Sequence, residues 1–199
     1  MEKQKIVLAS GNLHKIKEIQ QMLPDYKIIG YKELGKDFEI EENGTSFYEN
    51  ALIKAKTVCE TFNIPALADD SGICVEALGG EPGIYSARYA GDGIDEHNNQ
   101  LLLKNMQGVA NRKAKFVCQL VYYKPDKTII SALGETQGEI MDKCYGENGF
   151  GYDPLFYSLD LNKCLGLASA EEKNTISHRF RALVELKQKL MLDVKDENF

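Results

Sequence analysis

The sequence has no long hydrophobic run, no closely spaced cysteines and no excess of positive charge. None of its apolar stretches approaches the roughly 18 uninterrupted residues of a membrane-spanning helix. The apolar stretch at residues 6–9 is also too short for the core of a signal peptide, which needs roughly 7–15 residues. We therefore expect a cytoplasmic protein that has no membrane segment.

The five cysteines are scattered, and the closest two, Cys59 and Cys74, are 15 positions apart. Structural zinc sites use clustered cysteines and histidines, so a zinc site is not expected. Disulfides are rare in cytosolic proteins. The sequence therefore predicts reduced thiols in the core or at the surface.

The charge balance is acidic, with 24 Lys and Arg against 30 Asp and Glu and a formal net charge of −6. Proteins that bind nucleic-acid polymers are usually basic, because their cations displace counterions from the phosphates. A polymeric nucleic acid is therefore not an expected partner. A smaller anionic ligand would need a local cluster of positive groups or a metal ion.

The length of 199 residues and the hydrophobic content of 43% are sufficient for a buried core. No linker rich in glycine and serine divides the chain. We expect a single domain over residues 1–192, followed by a disordered acidic tail at residues 193–199.

Helical and strand patterns are interleaved along the chain. Hydrophobic stretches at residues 67–68 and 73–78 predict strands on either side of an acidic turn at residues 69–72. Residues 115–123 and 128–133 predict a hairpin, which is not a parallel crossover. The sequence therefore predicts an α/β fold with a mixed central sheet and flanking helices.

The segment after the first predicted strand has features of a phosphate site. Free backbone N–H groups at the start of a helix attract anions, and Lys15 adds a positive charge in the first turn. The alternative is an ordinary helix that Asn12 caps, with a solvated lysine. The candidate phosphate-binding residues are Ser10, Gly11, Asn12, Leu13, His14 and Lys15.

Two acidic pairs, Glu41-Glu42 and Asp69-Asp70, lie beside segments that contain glycine. Mg²⁺ prefers carboxylate oxygens and usually also binds the phosphates of a substrate. One carboxylate from each pair would suit such an ion. The alternative is two solvated turns, because Asp before Ser-Gly is common in turns.

Aromatic and basic residues near the C-terminus favour recognition of a flat ligand. Phe150 and Tyr152 stand among glycines, which allow close approach, and an aromatic ring stacks on a base. The alternative is a tight loop with packed aromatics. Lys173, His178 and Arg179 are hydrogen-bond donors, and arginine can pair with O6 and N7 of a 6-oxopurine. The alternative interpretation of these three residues is that they form the solvated face of a helix.

Six motifs, in order along residues 10–179, together resemble the Ham1-type inosine triphosphate pyrophosphatases. They are Ser10-Gly11-Asn12-x-x-Lys15, Glu41-Glu42-x-Gly44-x-x-Phe47-x-Glu49-Asn50-Ala51, Ala68-Asp69-Asp70-Ser71-Gly72, Gly79-Gly80-x-Pro82-Gly83-Ile84-Tyr85-Ser86-Ala87-Arg88-Tyr89, Gly149-Phe150-Gly151-Tyr152-Asp153-Pro154, and Glu172-Lys173-x-x-Ile176-Ser177-His178-Arg179. Each motif alone is a weak signal, but six in family order are a strong one.

The resemblance implies an ITPase-like fold of the Maf/Ham1 type, with two lobes around a nucleotide cleft, and a homodimer. It implies Mg²⁺-dependent hydrolysis of dITP, ITP and XTP to the nucleoside monophosphate and pyrophosphate. Asp70 is then the catalytic residue and a metal ligand, and Glu41 is the second metal ligand. The implied substrate-binding residues are those of the Ser10–Lys15 segment together with Ser71, Phe150, Gly151, Tyr152, Asp153, Lys173, His178 and Arg179.

Two other functions stay open. The related Maf-type nucleotide pyrophosphatases usually carry a Ser-x-Ser-Pro-Arg-type loop after the first strand, where this chain has Ala9-Ser10-Gly11-Asn12. A non-catalytic nucleotide sensor would bind the same ligands without turnover. Binding alone would not need both Glu41 and Asp70 beside phosphates, so the enzymatic function is favoured.

Overall fold

A computed structural model of the protein describes residues 3–11, 13–35 and 38–196. Strands and helices alternate along the described residues, as predicted. The strands are β1 (Gln4–Leu8), β2 (Tyr26–Gly30), β3 (Ala66–Val75), β4 (Lys113–Tyr123), β5 (Ile129–Ile140), β6 (Phe156–Ser158) and β7 (Lys163–Cys164). The helices are α1 (Leu13–Met22), α2 (Phe47–Phe62), α3 (Asp95–Asn105), α4 (Ala170–Ile176) and α5 (His178–Asp196).

The strands form one sheet in the order β2-β1-β3-β4-β5-β6-β7. β1 is parallel to both of its neighbours, β2 and β3. β6 is antiparallel to β5 and to β7. The predicted α/β fold with a mixed sheet and flanking helices is therefore confirmed, while the nucleotide cleft stays a prediction.

The chain divides into two compact units, of which the first comprises Met1–Asp70, Gln119–Leu133 and Ala182–Phe199. Its core is built on α2, where small apolar side chains recur at helical spacing and pack against the strands. The buried residues of this cluster are Val7, Ala9, Tyr31, Ala51, Ala55, Val58, Cys59, Ala66, Ala68, Val121 and Tyr123. This packing decides which strand residues face α2.

The second unit comprises Ser71–Cys118 and Gly134–Arg181 and has a core of its own. Phe116 of β4 and Phe156 of β6 meet in it with their ring centroids 4.6 Å apart. Leu102 and Met106, from α3 and its C-terminal end, belong to the same buried cluster. The core therefore ties α3 firmly to the strands of this unit.

β3 departs from the prediction, because a single strand runs through the residues for which an acidic turn was expected. Strand β1 pairs only with the first two residues of β3, Ala66 and Leu67. Asp69 and Asp70 therefore extend beyond the carboxyl end of β1. Adjacent residues of a strand point to opposite faces, so the two carboxylates separate. Asp-Ser-Gly forms part of a strand here rather than the expected turn, because both carboxylates are paired with lysine side chains.

The C-terminal segment also differs from the prediction. Helix α5 continues to Asp196, so residues 193–196 are helical rather than disordered. An ion pair of 2.6 Å between Lys124 and Asp193 holds this end of the helix. Residues 197–199 lie outside the described residues, and the assignment of residues 1–192 to a single domain stays a prediction. Among the described helices, none combines the length and the apolar character needed to cross a membrane.

Candidate functional site

Asp69 and Asp70 bind lysines from two different helices of the first unit. Lys15, in the first turn of α1, places its Nζ 3.0 and 2.9 Å from the two carboxylate oxygens of Asp69. The Asp69 carboxylate is almost completely buried, so this ion pair offsets a charge that water does not solvate. The predicted phosphate ligand Lys15 is thus held in place by a predicted acidic residue.

Asp70 lies on the opposite face of β3, where α2 packs. Lys54 of α2 places its Nζ 3.2 Å from Asp70 Oδ1 and 3.0 Å from Glu42 Oε2. The side chains of Asp70 and Lys54 are each 12% exposed. Sequence reasoning missed Lys54, although it lies four positions after Asn50 and therefore on the same face of α2.

Asn50 orients Asp70 from this helix face. Its Nδ2 donates to Asp70 Oδ2 at 3.3 Å, while its Oδ1 accepts the N–H of Gly44 at 2.9 Å. The side chain is fully buried. A Cβ at Gly44 would lie 2.7 Å from Asn50 Oδ1, so a glycine is needed for this approach. The spacing of Gly44 and Asn50 in their motif therefore has a physical cause.

The start of α2 is set by side chains that bind the first free N–H groups. Ser46 is the N-cap, and its Oγ accepts the N–H of Glu49 at 3.2 Å. The Glu49 carboxylate accepts the N–H and the hydroxyl of Thr45 at 2.6 and 2.7 Å. This capping fixes the loop between Gly44 and the helix, and with it the Asn50 contact.

The electrostatics of this cluster favour a basic carboxylate. Burial raises the pKa of Asp70, Lys54 opposes that rise, and Glu42 adds to it. Burial alone would lower the pKa of Lys54, but the carboxylates of Asp70, Glu42 and Asp69 outweigh it and leave that pKa raised. Lys54 therefore stays protonated, and Asp70 accepts a proton more readily than an ordinary aspartate.

The donor set is compatible with a divalent cation. Within residues 3–11, 13–35 and 38–196, no three His, Cys, Asp or Glu side chains are grouped so as to hold a metal ion by themselves. Carboxylate oxygens of Glu42 and Asp70 nevertheless converge on one ammonium. Mg²⁺ commonly uses one or two carboxylates and completes its coordination with water and substrate phosphates. These carboxylates are therefore of the type that Mg²⁺ uses, while the ion itself and its predicted ligand Glu41 stay predictions.

The loop after Gly149 presents an aromatic ring in the second unit. The side chain of Phe150 is 64% exposed, and Lys173 Nζ lies 4.3 Å from the centroid of its ring. Lys173 also forms an ion pair with the buried Asp153. The Asp153 carboxylate accepts the N–H of Phe150 at 2.8 Å. These contacts hold an exposed aromatic ring in a defined position, as a stacking surface requires.

Gly151 and Tyr152 anchor the same loop. The N–H of Gly151 donates to Asp95 Oδ2 at 2.7 Å. The Tyr152 ring is buried, its hydroxyl donates to the carbonyl of Ser86 at 2.8 Å, and burial raises the pKa of that hydroxyl. Tyr152 therefore belongs to the core of this unit, and its contact with a substrate stays a prediction.

His178 and Arg179 begin α5 and are both buried. The His178 ring stacks on Phe116 with centroids 5.0 Å apart and an interplanar angle of 13°. Ser177 caps the helix, because its Oγ accepts the N–H of Phe180 at 3.1 Å. The alternative of a solvated helix face is therefore wrong for these two side chains.

For the remaining predicted site residues, the structure gives mainly their exposure to solvent. Ser10 and Ser71 are half-buried, while Gly11, Leu13 and Glu41 are exposed. Asn12 lies outside the described residues, and of His14 only its place in α1 is described. Lys54 contacts Glu42, the neighbour of the predicted metal ligand Glu41. The role of Glu41 stays a prediction.

A sequence profile of the Ham1 family matches residues 6–189. The chain belongs to the Ham1 family. It is 47% identical over 179 residues to a dITP/XTP pyrophosphatase of Staphylococcus aureus (strain MW2), covering 89% of this chain and 92% of the relative. A dITP/XTP pyrophosphatase of Staphylococcus epidermidis (strain ATCC 35984) is 42% identical over 186 residues, which cover 93% of this chain and 95% of the relative.

Solved Ham1 structures have the same fold. The Staphylococcus aureus Ham1 protein superposes with a TM-score of 0.91 at 45% identity, covering 96% of this chain and all of that chain. A HAM1 protein from Coxiella burnetii superposes with a TM-score of 0.90 at 38% identity, and the match covers 94% of this chain and 98% of that chain. The resemblance that the six motifs predicted is therefore confirmed over nearly the whole chain.

Proposed function

We propose that this Ham1 protein hydrolyses dITP, ITP and XTP to the nucleoside monophosphate and pyrophosphate. The observation that carries the proposal is the contact of Asp70 with Lys54, a partly buried carboxylate of raised pKa beside a cation. The names of the relatives, dITP/XTP pyrophosphatases, support the choice of substrate.

The reaction begins with attack of a water oxygen on the α-phosphorus. The bond from this phosphorus to the oxygen that bridges to the β-phosphorus breaks, and pyrophosphate leaves with the electron pair. Asp70 accepts the proton that the water loses, a role that suits a carboxylate whose pKa is raised by burial. Lys15 and Lys54 offset the negative charge of the phosphate oxygens.

Recognition of the base is assigned to the second unit. Phe150 stacks on the purine, and Lys173 keeps its charge close to that ring. The N–H groups of Phe150, Gly151 and Asp153 already donate to Asp153, Asp95 and the carbonyl of Phe150. The N–H groups of these three residues are therefore already used, and the proposed side-chain donor to O6 of the base is Arg179.

Selectivity follows from hydrogen-bond matching. Hypoxanthine and xanthine present an acceptor at O6, whereas adenine presents an amino donor at that position. A donor that faces a donor leaves a buried polar group unpaired, at a cost of roughly 1–3 kcal/mol. Discrimination of about 5- to 150-fold per mismatch is therefore expected, since each 1.4 kcal/mol changes a rate or an affinity about tenfold.

The proposal includes Mg²⁺, held by Asp70 and by an acidic residue of the Glu41-Glu42 pair. When bound, the ion neutralises phosphate oxygens and acidifies a coordinated water. We further propose a homodimer and a cytoplasmic location, both on the strength of the family resemblance. A single nucleotide, rather than a nucleic-acid polymer or a membrane, is the proposed partner.

The first test is a product assay with a panel of nucleoside triphosphates. Purified protein is incubated with dITP, ITP, XTP, dATP and dUTP, each with Mg²⁺ and with excess EDTA, and the products are separated. The expected products are pyrophosphate and the monophosphate from the first three substrates, in the presence of Mg²⁺. Release of orthophosphate with a diphosphate would contradict attack at the α-phosphorus, and tight binding without turnover would support a sensor.

The second test is the variant Asp70→Asn, which keeps the size of the side chain and removes its basicity. A loss of turnover of about 100-fold or more is expected for removal of a catalytic proton acceptor. Circular dichroism and thermal unfolding control for the fold. Turnover close to that of the wild type would remove Asp70 from its proposed role.

A further inference from the structure

Two side chains of α3 hold both backbone groups of Gly151 in the second unit. Asp95, at the first position of the helix, accepts the N–H of Gly151 at 2.7 Å. Asn99, one turn later, donates its Nδ2 to the carbonyl of Gly151 at 2.9 Å. The backbone of Gly151 has a φ of +60°, a conformation that other residues rarely adopt. One helix face therefore fixes the two peptide planes that flank this glycine.

The fixed peptide planes determine where Phe150 points. The plane on the N-terminal side of Gly151 includes the carbonyl of Phe150, and Asp153 accepts the N–H of Phe150. The Phe150 ring itself is 64% exposed, so core packing does not orient it. Its position depends on Lys173 and on the hydrogen bonds of its backbone. Asp95 and Asn99 bind the N–H and the carbonyl of the adjacent Gly151 from a part of the chain that is 52 to 56 positions away.

We propose that Asp95 and Asn99 are positioning residues for base recognition, acting through the Phe150–Gly151 backbone. The proposal rests on the function given above, because it assumes that Phe150 stacks on the base. Neither residue touches the substrate. Their loss lets the ring of Phe150, and the base stacked on it, move relative to the side chain that donates to O6. This weakens the preference for hypoxanthine over adenine and leaves the chemistry at the phosphate unchanged.

The neighbouring residue Asn98 provides a matched control. It is buried like Asn99 and also holds backbone, accepting the N–H of Ala90 at 2.7 Å and donating to the carbonyl of Ala87 at 3.3 Å. These side-chain hydrogen bonds of Asn98 go to Ala87 and Ala90 and not to the described residues 149–153. An Asn98→Ala variant therefore loses buried hydrogen bonds from the same helix without loosening the Phe150 loop. Gln100, exposed on α3, gives a second control.

Asn99 is a clean target for substitution. Its side chain is 7% exposed, and its Oδ1 accepts no hydrogen bond from any residue that the structure describes. The donor to Gly151 is therefore the polar contact that Asn99→Ala removes. Asp95 offers a conservative rescue, because Asp95→Asn keeps an oxygen that accepts the N–H of Gly151, whereas Asp95→Ala does not.

The experiment measures kcat and KM for dITP and dATP in Asn99→Ala, Asp95→Ala, Asp95→Asn, Asn98→Ala and Gln100→Ala. Loss of one hydrogen bond of ordinary strength corresponds to roughly a 2- to 12-fold change. We expect the dITP/dATP ratio of kcat/KM to fall by that factor in the first two variants, through KM rather than kcat. Asp95→Asn restores most of the ratio, while Asn98→Ala lowers the melting temperature and keeps the ratio.

A double-mutant cycle separates positioning from general stability. In a Phe150→Ala background, Asn99→Ala has no further effect on the dITP/dATP ratio if it acts through that ring. Additive effects of the two substitutions would overturn the proposal. An unchanged ratio in Asn99→Ala, or equal losses in Asn99→Ala and Asn98→Ala, would overturn it as well.

Binding measurements distinguish the two proposals from each other. Calorimetric titration with dIMP and with dAMP gives the base preference without any turnover. A wild-type chain that binds dIMP better than dAMP but releases no pyrophosphate from dITP would contradict the proposed function alone. A wild type that is active and selective, together with an Asn99→Ala variant of equal selectivity in both assays, would contradict only the positioning role.

Discussion

The amide of Asn50 donates a hydrogen bond of 3.3 Å to the carboxylate of Asp70. The same amide is held from its other side, because its oxygen accepts the N–H of Gly44 at 2.9 Å. With its amide fixed in this way, Asn50 has one orientation, and it presents a donor to Asp70. The reactive carboxylate of the proposed mechanism is thus aimed by a residue of α2.

Asn50→Asp keeps the shape of this side chain and replaces the donor with a negative charge. The new carboxylate repels that of Asp70 and raises its pKa further. We expect kcat/KM for dITP to fall about 10- to 100-fold, and the acidic limb of the pH–rate profile to move to higher pH. The exposed Asn63→Asp, at the C-terminal end of the same helix, is the control and leaves both unchanged. An unshifted acidic limb in Asn50→Asp would separate Asn50 from Asp70.

Gly44→Ala tests the close approach on which the Asn50 contact depends. The added Cβ would lie 2.7 Å from Asn50 Oδ1 and 2.9 Å from the backbone nitrogen of Asn50, so the loop must move. Overpacking of this kind destabilises by about 1–3 kcal/mol. We expect a loss of that size in urea unfolding and a parallel loss of activity. Ala at the exposed neighbour Asn43 should change neither, and equal stability of the two variants would contradict the prediction.

Lys54→Met removes the cation between Glu42 and Asp70 and keeps most of the apolar stem. The two carboxylates then repel each other, and the phosphates of the substrate lose a positive partner. A drop in kcat of about 100-fold is expected, as for other groups that stabilise charge in a transition state. Lys56→Met is the matched control on the same helix, because Lys56 is 53% exposed and pairs loosely with Glu60 at 4.0 Å. Similar kinetics of the two variants would show that Lys54 is only structural.

Phe150→Ala removes the exposed ring that is proposed to stack on the base. Stacking of one base on an aromatic ring contributes about 1–3 kcal/mol. We expect KM for dITP to rise about 5- to 150-fold, with a melting temperature close to that of the wild type because the ring is mostly exposed. Phe150→Tyr should keep the low KM. A Phe150→Ala variant with unchanged KM would exclude stacking on this ring.

The pair of His97 and Asp92 predicts a measurable titration. His97 Nδ1 lies 2.5 Å from Asp92 Oδ2, and this hydrogen bond raises the pKa of His97. Because the folded state binds the proton more tightly, the contribution to stability is complete below the ordinary pKa of about 6.5 and is lost as the pH rises through the higher folded pKa. NMR titration of the His97 ring should give a midpoint above 6.5, and Asp92→Asn should lower it. Identical midpoints would show that the pair does not form in solution.

The fold and the family were predictable from short patterns. Strand and helix periodicity indicated a mixed α/β sheet, and six motifs in order indicated the Ham1 family. The turn predicted at residues 69–72 is part of strand β3 in the structure. The physical cause is that Asp-Ser-Gly favours a turn only while its carboxylates are solvated. Lys15 and Lys54 bind these carboxylates and allow the strand to continue.

Sequence alone determined the class of fold, the family and the residue types available for phosphate and base recognition, because these depend on local patterns and their order. Only the tertiary structure decided which carboxylate forms an ion pair with which lysine. Asp69 and Asp70 are neighbours in the chain, yet the alternation of β3 sends one to Lys15 of α1 and the other to Lys54 of α2. Likewise, the distance of 52 positions between Asn99 and Gly151 hides their contact from any local pattern.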